Sequence, residues 1–273
     1  MSGLRAQIRT AEGWAVENAV LTVTDMSGQQ VARAVADATG VVDTPPLPPG
    51  IYTAVLTAAG HAPLARTAQI GSDGSGSLGD LVVTPMAGAV ELPPAGPWTI
   101  DPVHSSAVAT ARHLGIASIK ARFSDISGRI DVGRPVERSR VEAEIKTASI
   151  DTGIKMRDDN LKSPEFLDVD SYPVIGFVST GMRQRGTDTW VLAGELTLHG
   201  ERKQIELDLT YGGYGPDPWG GVRAAFHAET LLHRNDFAIN YNAMVRAGVA
   251  AIGTTVKVEL DIEAVQGESL PQM

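Results

Sequence analysis

The segment TASIDTGIKMRDDNLKSPEFLDVDSYPVIGFVST, residues 147–180, decides the fold of this chain. Apolar and charged residues alternate just before it, which is typical of a half-buried strand. Met156, Leu161 and Phe166 are the predicted apolar anchors of a short helix, which Pro164 limits to about a turn or two. A second strand is predicted to start at the YPV sequence. The segment therefore predicts a polar, helix-bearing lid between two strands.

Several short motifs resemble one protein family in both their residues and their order along the chain. SIDT, RDDNL, SPEFLDV and YPVIGFVST lie in or next to the segment, WTIDPVHSS precedes it, and GELTLHG and HRNDFAI follow it. From Trp98 to about Val265 the sequence resembles the YceI-like family. The resemblance implies a lipocalin-like antiparallel β-barrel that binds a polyisoprenoid, an isoprenoid quinone or another long apolar chain.

The composition narrows the classes of function. The net charge of −9 over 273 residues argues against a nucleic-acid-binding surface, because phosphate binding needs clustered Lys and Arg. The chain has no cysteine, which excludes disulfides, thiolate metal sites and cysteine catalysis. MSGLRAQIRT lacks the apolar run of a secretory signal, and no stretch approaches the roughly 18 apolar residues of a membrane helix. We therefore expect a cytoplasmic protein.

The sequence predicts two all-β domains. Residues 1–86 show short strands about ten residues apart with glycine turns between them, which is typical of a β-sandwich. VADATGVVDTPPLPPGIYTAVLTAAGHAP resembles the carboxypeptidase regulatory-like, transthyretin-like sandwich, which implies an appended interaction module with a protein partner. Residues 87–97 form a predicted Pro-rich linker, residues 98–266 the YceI-like barrel, and residues 267–273 a tail.

The second domain contains a series of amphipathic segments. Strands are predicted at residues 103–113, 190–198, 205–211, 222–232 and 256–262. Antiparallel strands that close on themselves bury the sheet edges. An eight-stranded barrel is just wide enough to be filled by its own side chains or to hold one slender ligand.

A stripe of alanines bears on whether the barrel is filled by its own side chains or holds a ligand. Ala107, Ala109 and Ala111 share the predicted inward face of one strand. Either they leave a wide lumen, or neighbours such as Phe123 fill the space, because protein interiors are close-packed; the sequence leaves both open. The residues predicted to line the lumen are Ala107, Ala109, Ala111, His113, Phe123, Ile175, Phe177 and Phe226, and those predicted at its mouth are Arg157, Asp158, Leu161 and Phe166.

The charged lid residues have two interpretations. Arg157 and Asp158 could tie the lid down by ion pairing and hydrogen bonds, which is the commoner role of such pairs. In the other interpretation, Arg157 is the group at the mouth that contacts the polar head of a ligand.

The sequence shows no recognisable catalytic or metal-binding motif. HExxH, GxSxG and phosphate-loop patterns are missing. His227 and His233 lie too far apart along one strand for a compact metal pair. His104 and Ser105 are adjacent strand residues that point to opposite faces. We predict no enzymatic activity, no cofactor and no metal.

Two further predictions concern structural polar groups. His113 is predicted to be a hydrogen-bonded core histidine, and Arg234 is predicted to pair with Asp236 near one end of the barrel. The predicted function is to bind, store or carry a long apolar chain. A structural protein with a filled barrel, a weak lipid-modifying enzyme and a homodimer are left open.

Overall fold

The computed structural model describes residues 3–11, 13–86, 90–218, 220–241 and 251–270. The chain forms two compact units. One comprises Met1–Ala89 with Gln184–Thr187, and the other comprises Val90–Arg183 with Asp188–Met273.

The described part of the first unit contains two sheets. The strand bounds are β1 Leu4–Thr10, β2 Val20–Thr24, β3 Gln30–Val35, β4 Val41–Asp43, β5 Gly50–Thr57, β6 Leu64–Ile70 and β7 Gly76–Val83. Strands β4, β1 and β7 form one sheet, in which β1 and β7 are parallel, and β3, β2, β5 and β6 form the other, which is antiparallel. Leu4 and Ile8 of the first sheet share one apolar core with Leu21 and Leu56 of the second.

The DATG sequence forms the turn between β3 and β4. The Asp37 carboxylate accepts hydrogen bonds from the hydroxyl of Thr39 and from the backbone N–H groups of Thr39 and Val41. The bond from the hydroxyl contributes most to lowering the pKa of Asp37. Gly40 has a φ of 78°, a conformation that glycine adopts at little cost. Turn geometry therefore accounts for this motif.

The second unit is built from eleven further strands and one short helix in its described residues. Short 3-10 turns lie at Val136–Arg138, Thr147–Ser149 and Arg234–Phe237. The helix α1 spans Lys155–Lys162, and the strands are β8 Gly96–Ile100, β9 Ser106–His113, β10 Ala117–Phe123, β11 Ile126–Val132, β12 Arg140–Lys146, β13 Ile150–Asp151, β14 Val174–Gln184, β15 Thr189–Leu198, β16 Glu201–Pro216, β17 Val222–His233 and β18 Ile252–Gln266.

Eight antiparallel strands of this unit close into a barrel. Their order is β8, β11, β12, β14, β15, β16, β17 and β18, and Ala264–Gln266 of β18 pair with β8 to close the ring. The earlier residues of β18 pair with β9, and β10 and β13 continue that part of the sheet. Strands β8 and β9 therefore pair with β18 one after the other along its length. Strands β8 and β11 lie at one end of this side, and β9, β10 and β13 lie at the other. Helix α1 follows β13 and contacts it.

Some local predictions need correction. The strand predicted at residues 103–113 begins only at Ser106, and Val103 is 65% exposed, because the Asp101 carboxylate holds the Val103 N–H in a preceding turn. The helix ends at Lys162, just before Pro164, as predicted. Met156, however, is 81% exposed and anchors nothing in the described structure.

Within the described residues, no helix is both long enough and apolar enough to cross a membrane.

Candidate ligand-binding cavity

The inward faces of the barrel strands enclose a cavity of about 640 Å³. Its wall is almost entirely aliphatic and aromatic, because alternate residues of each strand point inward. Two clusters of buried apolar residues surround it. What we call the lid end is defined by Arg157, Leu161, Phe166, Phe237 and Ile239. What we call the linker end is defined by Leu92, Pro93, Ile100, Trp190 and Tyr211.

The alanine stripe lies in the middle of the cavity wall. Ala107, Ala109 and Ala111 all line the cavity. Ala109 is paired with Ala121 on one side and with Val258 on the other, so three short side chains stand together there. A wide lumen was one of the two predicted states, and the cavity corresponds to that state.

Phe123 lines the cavity beside this stripe. It pairs with Ala107, the first residue of the stripe, and is only 7% exposed. Its ring therefore lies beside the first residue of the stripe, and the cavity remains in its presence.

Ile175 and Phe177 form the opposite wall, as alternation along β14 requires. Both line the cavity. The ring of Phe177 lies against Gly194 of β15, where a Cβ would collide with the ring and with the Val178 carbonyl. Gly194 is therefore the residue that lets an aromatic ring lie flat at this point of the wall.

The two charged residues of the lid are bonded to the same threonine. The Thr152 hydroxyl donates to the Asp158 carboxylate over 2.5 Å and accepts from Nε of Arg157 over 2.8 Å. Nη2 of Arg157 donates to the Thr152 carbonyl over 3.0 Å. The hydrogen bond from the Thr152 hydroxyl is the main cause of the lowered pKa of Asp158. These bonds fix the start of α1 against the end of β13.

The structure places these two residues differently with respect to the cavity. Arg157 lines it, whereas Asp158 is not part of its wall. Asp158 was predicted at the mouth, and its carboxylate accepts hydrogen bonds from the backbone N–H and the hydroxyl of Thr152. Leu161 and Phe166 both line the cavity, and Phe166 meets Tyr241 edge to face with ring centroids 5.0 Å apart.

Arg234 is a functional candidate that the sequence prediction missed. It lines the cavity at the lid end and is only 6% exposed. Its guanidinium donates to the carbonyl oxygens of Gly253, Ile239 and Tyr241. The predicted pair with Asp236 is wrong, since the described partners of Arg234 are carbonyls. Burial lowers the pKa of Arg234. The Arg234 guanidinium adds positive charge to this end of the cavity.

Trp190 and Tyr211 are the polar residues of the linker end, and they were also missed. Both line the cavity and each is 3% exposed. Tyr211 also contacts Phe226, another predicted lining residue, at a centroid distance of 5.5 Å. Trp190 is in phase with inward Leu192 on β15, so strand alternation could have revealed it.

Comparison with known proteins agrees with this architecture. Residues 98–264, more than half of the chain, match the YceI-like domain. The chain belongs to the YceI-like family. A UPF0312 protein of Pseudomonas putida strain W619 is 38% identical to it over 156 residues, which cover 56% of this chain and 77% of that protein. A UPF0312 protein of Pseudomonas savastanoi pv. phaseolicola is 39% identical over the same length and the same shares of both chains.

Solved structures show the same fold as this YceI-like domain. The crystal structure of BcnA from Burkholderia cenocepacia has a TM-score of 0.54 at 18% identity, and the match covers 60% of this chain and 98% of that chain. A mutant YCEI protein of Campylobacter jejuni has a TM-score of 0.50 at 24% identity, covering 57% and 90% of the two chains.

Residues 90–97, the described part of the predicted linker, pack against the YceI-like barrel. Leu92 and Pro93 line the linker end of the cavity. The Pro93 carbonyl accepts a hydrogen bond from Arg134, and the Pro94 carbonyl accepts one from the Trp98 indole. This part of the segment therefore belongs to the cavity wall, while residues 87–89 lie outside the described residues.

An ion cluster pins the closure of the YceI-like barrel near the linker end. Arg223 of β17 bonds to the carboxylates of Asp101, Asp217 and Glu263. Asp101 also bonds to His104. Burial raises the pKa of Asp101, but the hydrogen bonds from Arg223 and His104 outweigh burial and lower it to about 2. The cluster ties the end of β8 to β17 and β18.

The other histidines of the YceI-like domain bear on the sequence predictions. His113 is an exposed residue at the end of β9 that touches the cavity, so the prediction of a core histidine was wrong.

His227 bonds to Asp261, and His233 lies 3.3 Å from the Thr255 hydroxyl. Ser105 exchanges hydrogen bonds with the backbone of Glu263 and not with His104. Among the described residues, no group of three or more His, Asp or Glu side chains could hold a metal ion.

Proposed function

We propose that the YceI-like domain binds, stores or carries a long apolar chain, such as a polyisoprenoid, an isoprenoid quinone or a similar lipid. The observation that carries this proposal is the apolar cavity of about 640 Å³ inside the barrel. Its volume lies within the roughly 300–1,000 Å³ of ordinary small-molecule sites. Membership of the YceI-like family supports the isoprenoid class.

The energetics suit such a ligand. Each buried methylene group contributes roughly 0.8 kcal/mol, so ten enclosed carbons offer on the order of 8 kcal/mol before ordering costs. A net binding free energy of that size corresponds to a dissociation constant of about 1 μM, so a chain with more than ten enclosed carbons can reach it without any charged contact. A carrier needs reversible binding of this order.

The lid end is the proposed place for an anionic head group. Arg157 and Arg234 both reach the cavity wall there. Two nitrogens of Arg157 are used by Thr152, which leaves Nη1 as the atom that would meet a phosphate oxygen. The tie to Thr152 would hold the guanidinium in place for that contact.

The first unit is proposed to be an appended interaction module with a protein partner. Its transthyretin-like character is supported by the DATG turn and by the two sheets around one core. On this proposal, residues 1–86 contribute nothing to lipid binding.

The competing functions have less support. A structural protein with a filled barrel is disfavoured, because the inward side chains leave a large cavity beside Ala109. A lipid-modifying enzyme would need reactive side chains at the cavity, and Arg157 and Arg234 of its wall are instead hydrogen-bonded to oxygens of the protein. We therefore favour a carrier over an enzyme.

Native mass spectrometry of freshly purified full-length protein tests the proposal. We expect an adduct that is released at higher collision energy and whose fragments show isoprene repeats. A matched sample of the Ala109→Phe variant should retain shorter adducts than the parent. A parent protein that carries no lipid, and that binds no added isoprenoid of any length after organic extraction, would contradict the proposed function.

A further inference from the structure

Two hydrogen-bond donors are buried at the linker end without a partner. Nε1 of Trp190 and Oη of Tyr211 make no hydrogen bond to any described residue. The two rings meet edge to face with centroids 6.3 Å apart, and both line the same cavity. Buried polar groups are nearly always hydrogen-bonded, so two such donors side by side need an explanation.

A ligand oxygen is the simplest partner for these donors. A buried donor without an acceptor destabilises a protein, and replacing either group by an apolar one would relieve that cost. Both side chains line the cavity, so a bound molecule that displaces either ring slightly could bring an acceptor to its donor. Neighbouring Trp98 shows the contrast, since its indole N–H is satisfied by the Pro94 carbonyl within the protein.

The surroundings determine the charge of that acceptor. The basic groups of the cavity wall, Arg112, Arg157 and Arg234, all come from the elements of the lid end. At the linker end the cavity wall consists mainly of apolar residues such as Leu92, Ile100 and Val132. Arg134 and Glu91 act on Tyr211 with opposite signs, so they provide no net positive charge, and burying an anion there is strongly unfavourable. Burial also raises the pKa of Tyr211, so its hydroxyl stays protonated and able to donate.

We propose that Trp190 and Tyr211 form a subsite for an uncharged oxygen, a carbonyl or hydroxyl, carried by the ligand. This inference rests on the proposed function and adds an orientation to it. A ligand with one uncharged polar end enters with that end first, and its chain then runs past the alanine stripe towards the lid.

A pair of ligands that differ by one oxygen tests the subsite. The probes are geranylgeraniol and the hydrocarbon of the same chain without the hydroxyl, titrated into delipidated full-length protein. We expect Tyr211→Phe to weaken the alcohol by about 5–10-fold, the effect of one hydrogen bond, and to leave the hydrocarbon unchanged. Tyr214→Phe is the control, because its hydroxyl bonds to Glu91 and its side chain is not part of the cavity wall.

The indole proton of Trp190 gives a second readout that a merely structural role would not move. The chain has four tryptophans, so a ¹⁵N–¹H spectrum shows four indole signals, and the signal lost in Trp190→Phe identifies Trp190. We expect this signal to shift downfield when the alcohol binds and to move little with the hydrocarbon.

The outcomes separate the inference from the function on which it rests. If both probes bind equally well, with no effect of Tyr211→Phe and no indole shift, the donors are served by water and the subsite is wrong. If geranylgeranyl diphosphate loses more affinity than the alcohol in Tyr211→Phe, the uncharged assignment is wrong. If neither probe binds, the proposed function itself fails.

Discussion

The lid end and the linker end of the cavity present different kinds of polar group. At the lid end, Arg157 and Arg234 bring positive charge, and each is fixed by hydrogen bonds to the protein. At the linker end, Trp190 and Tyr211 offer uncharged donors that the described protein leaves unpaired. The wall between the two ends is apolar and includes Ala109. The difference suggests that an anionic head group binds at the lid end of the cavity and an uncharged head group at the linker end.

The two ends are also held together differently. The lid is tied by neutral and charge-assisted bonds around Thr152 near the surface. The barrel closure near the linker end depends on a buried cluster in which Asp101 and Asp217 both need Arg223. Buried charges that lose their partner cost far more than exposed ones. We therefore expect mutations near the linker end to affect stability most, and mutations at the lid end to affect ligand affinity most.

The largest expected effect is that of Arg223→Ala. It leaves two buried carboxylates without their cation, which should lower the free energy of unfolding by about 3–5 kcal/mol. Arg129→Ala is the matched control, because the Arg129–Asp131 pair is about half exposed and should contribute at most about 1 kcal/mol. Urea denaturation of both variants measures the difference. Equal losses would show that the cluster does not hold the barrel closed.

Arg157→Ala tests the lid end. A charge-assisted contact to phosphate contributes roughly 1.5–3 kcal/mol, so geranylgeranyl diphosphate should bind about 10–100-fold more weakly while geranylgeraniol changes little. Asp158→Asn is the control, since it weakens the tie to Thr152 and keeps the guanidinium. An equal loss for both ligands, with a lower melting temperature, would mean that Arg157 only ties down the lid.

The linker end predicts a difference between two fragments. Residues 98–273 should fold cooperatively and bind lipid, because the YceI-like domain has its own core. Residues 90–273 should be more stable by at least about 2 kcal/mol, the sum of the two hydrogen bonds made by the Pro93 and Pro94 carbonyls, because the shorter fragment also loses Gly96 and Pro97 at the start of β8. Thermal unfolding of both fragments provides the comparison. An insoluble 98–273 fragment beside a stable full chain would mean that the domain boundary is wrong.

Acid should weaken the closure near the linker end. The pKa of Asp101 is lowered to about 2 in the folded protein, so its contribution is present above pH 4 and is lost as the pH falls towards 2. The loss should be on the order of 2 kcal/mol. Denaturation at several pH values would show it, and in Asp101→Asn that part of the pH dependence should disappear. An unchanged acid slope in the variant would contradict the assignment.

The smallest effect on stability is expected at the alanine stripe. Ala109→Phe adds a ring to a residue that lines the cavity, so the melting temperature should stay the same or rise, whereas overpacking a solid core costs about 1–3 kcal/mol. The longest isoprenoid that still binds should become shorter. A clearly destabilised variant with an unchanged chain-length preference would mean that residue 109 packs against solid core.

Strand alternation accounts for most of what the sequence predicted correctly. The inward set Ala107, Ala109 and Ala111 follows from a period of two, and the same period places Ile175 and Phe177 in the wall. Pro164 ended the helix as expected, because the residue before a proline avoids the helical conformation.

The differences concern groups whose hydrogen-bond partners lie outside their own helix or turn. Asp158 turned away from the cavity because Thr152, six residues earlier, supplies two donors. Arg234 found carbonyl partners as far away as Gly253, which no local pattern indicates. Trp190 and Tyr211 could be placed on inward faces by alternation, but a missing hydrogen-bond partner is a property of the whole fold.

The orientation of a bound chain tests the central claim most directly. Geranylgeraniol with a diazirine at its tail would be photolysed on delipidated full-length protein, and the labelled residues identified by peptide mass spectrometry. We predict labels at the lid end, on Leu161 or Phe166, and labels on Trp190 or Tyr211 when the diazirine stands next to the hydroxyl; excess unlabelled geranylgeraniol should abolish both. Tail labels at the linker end, or labels outside the barrel, would contradict the account.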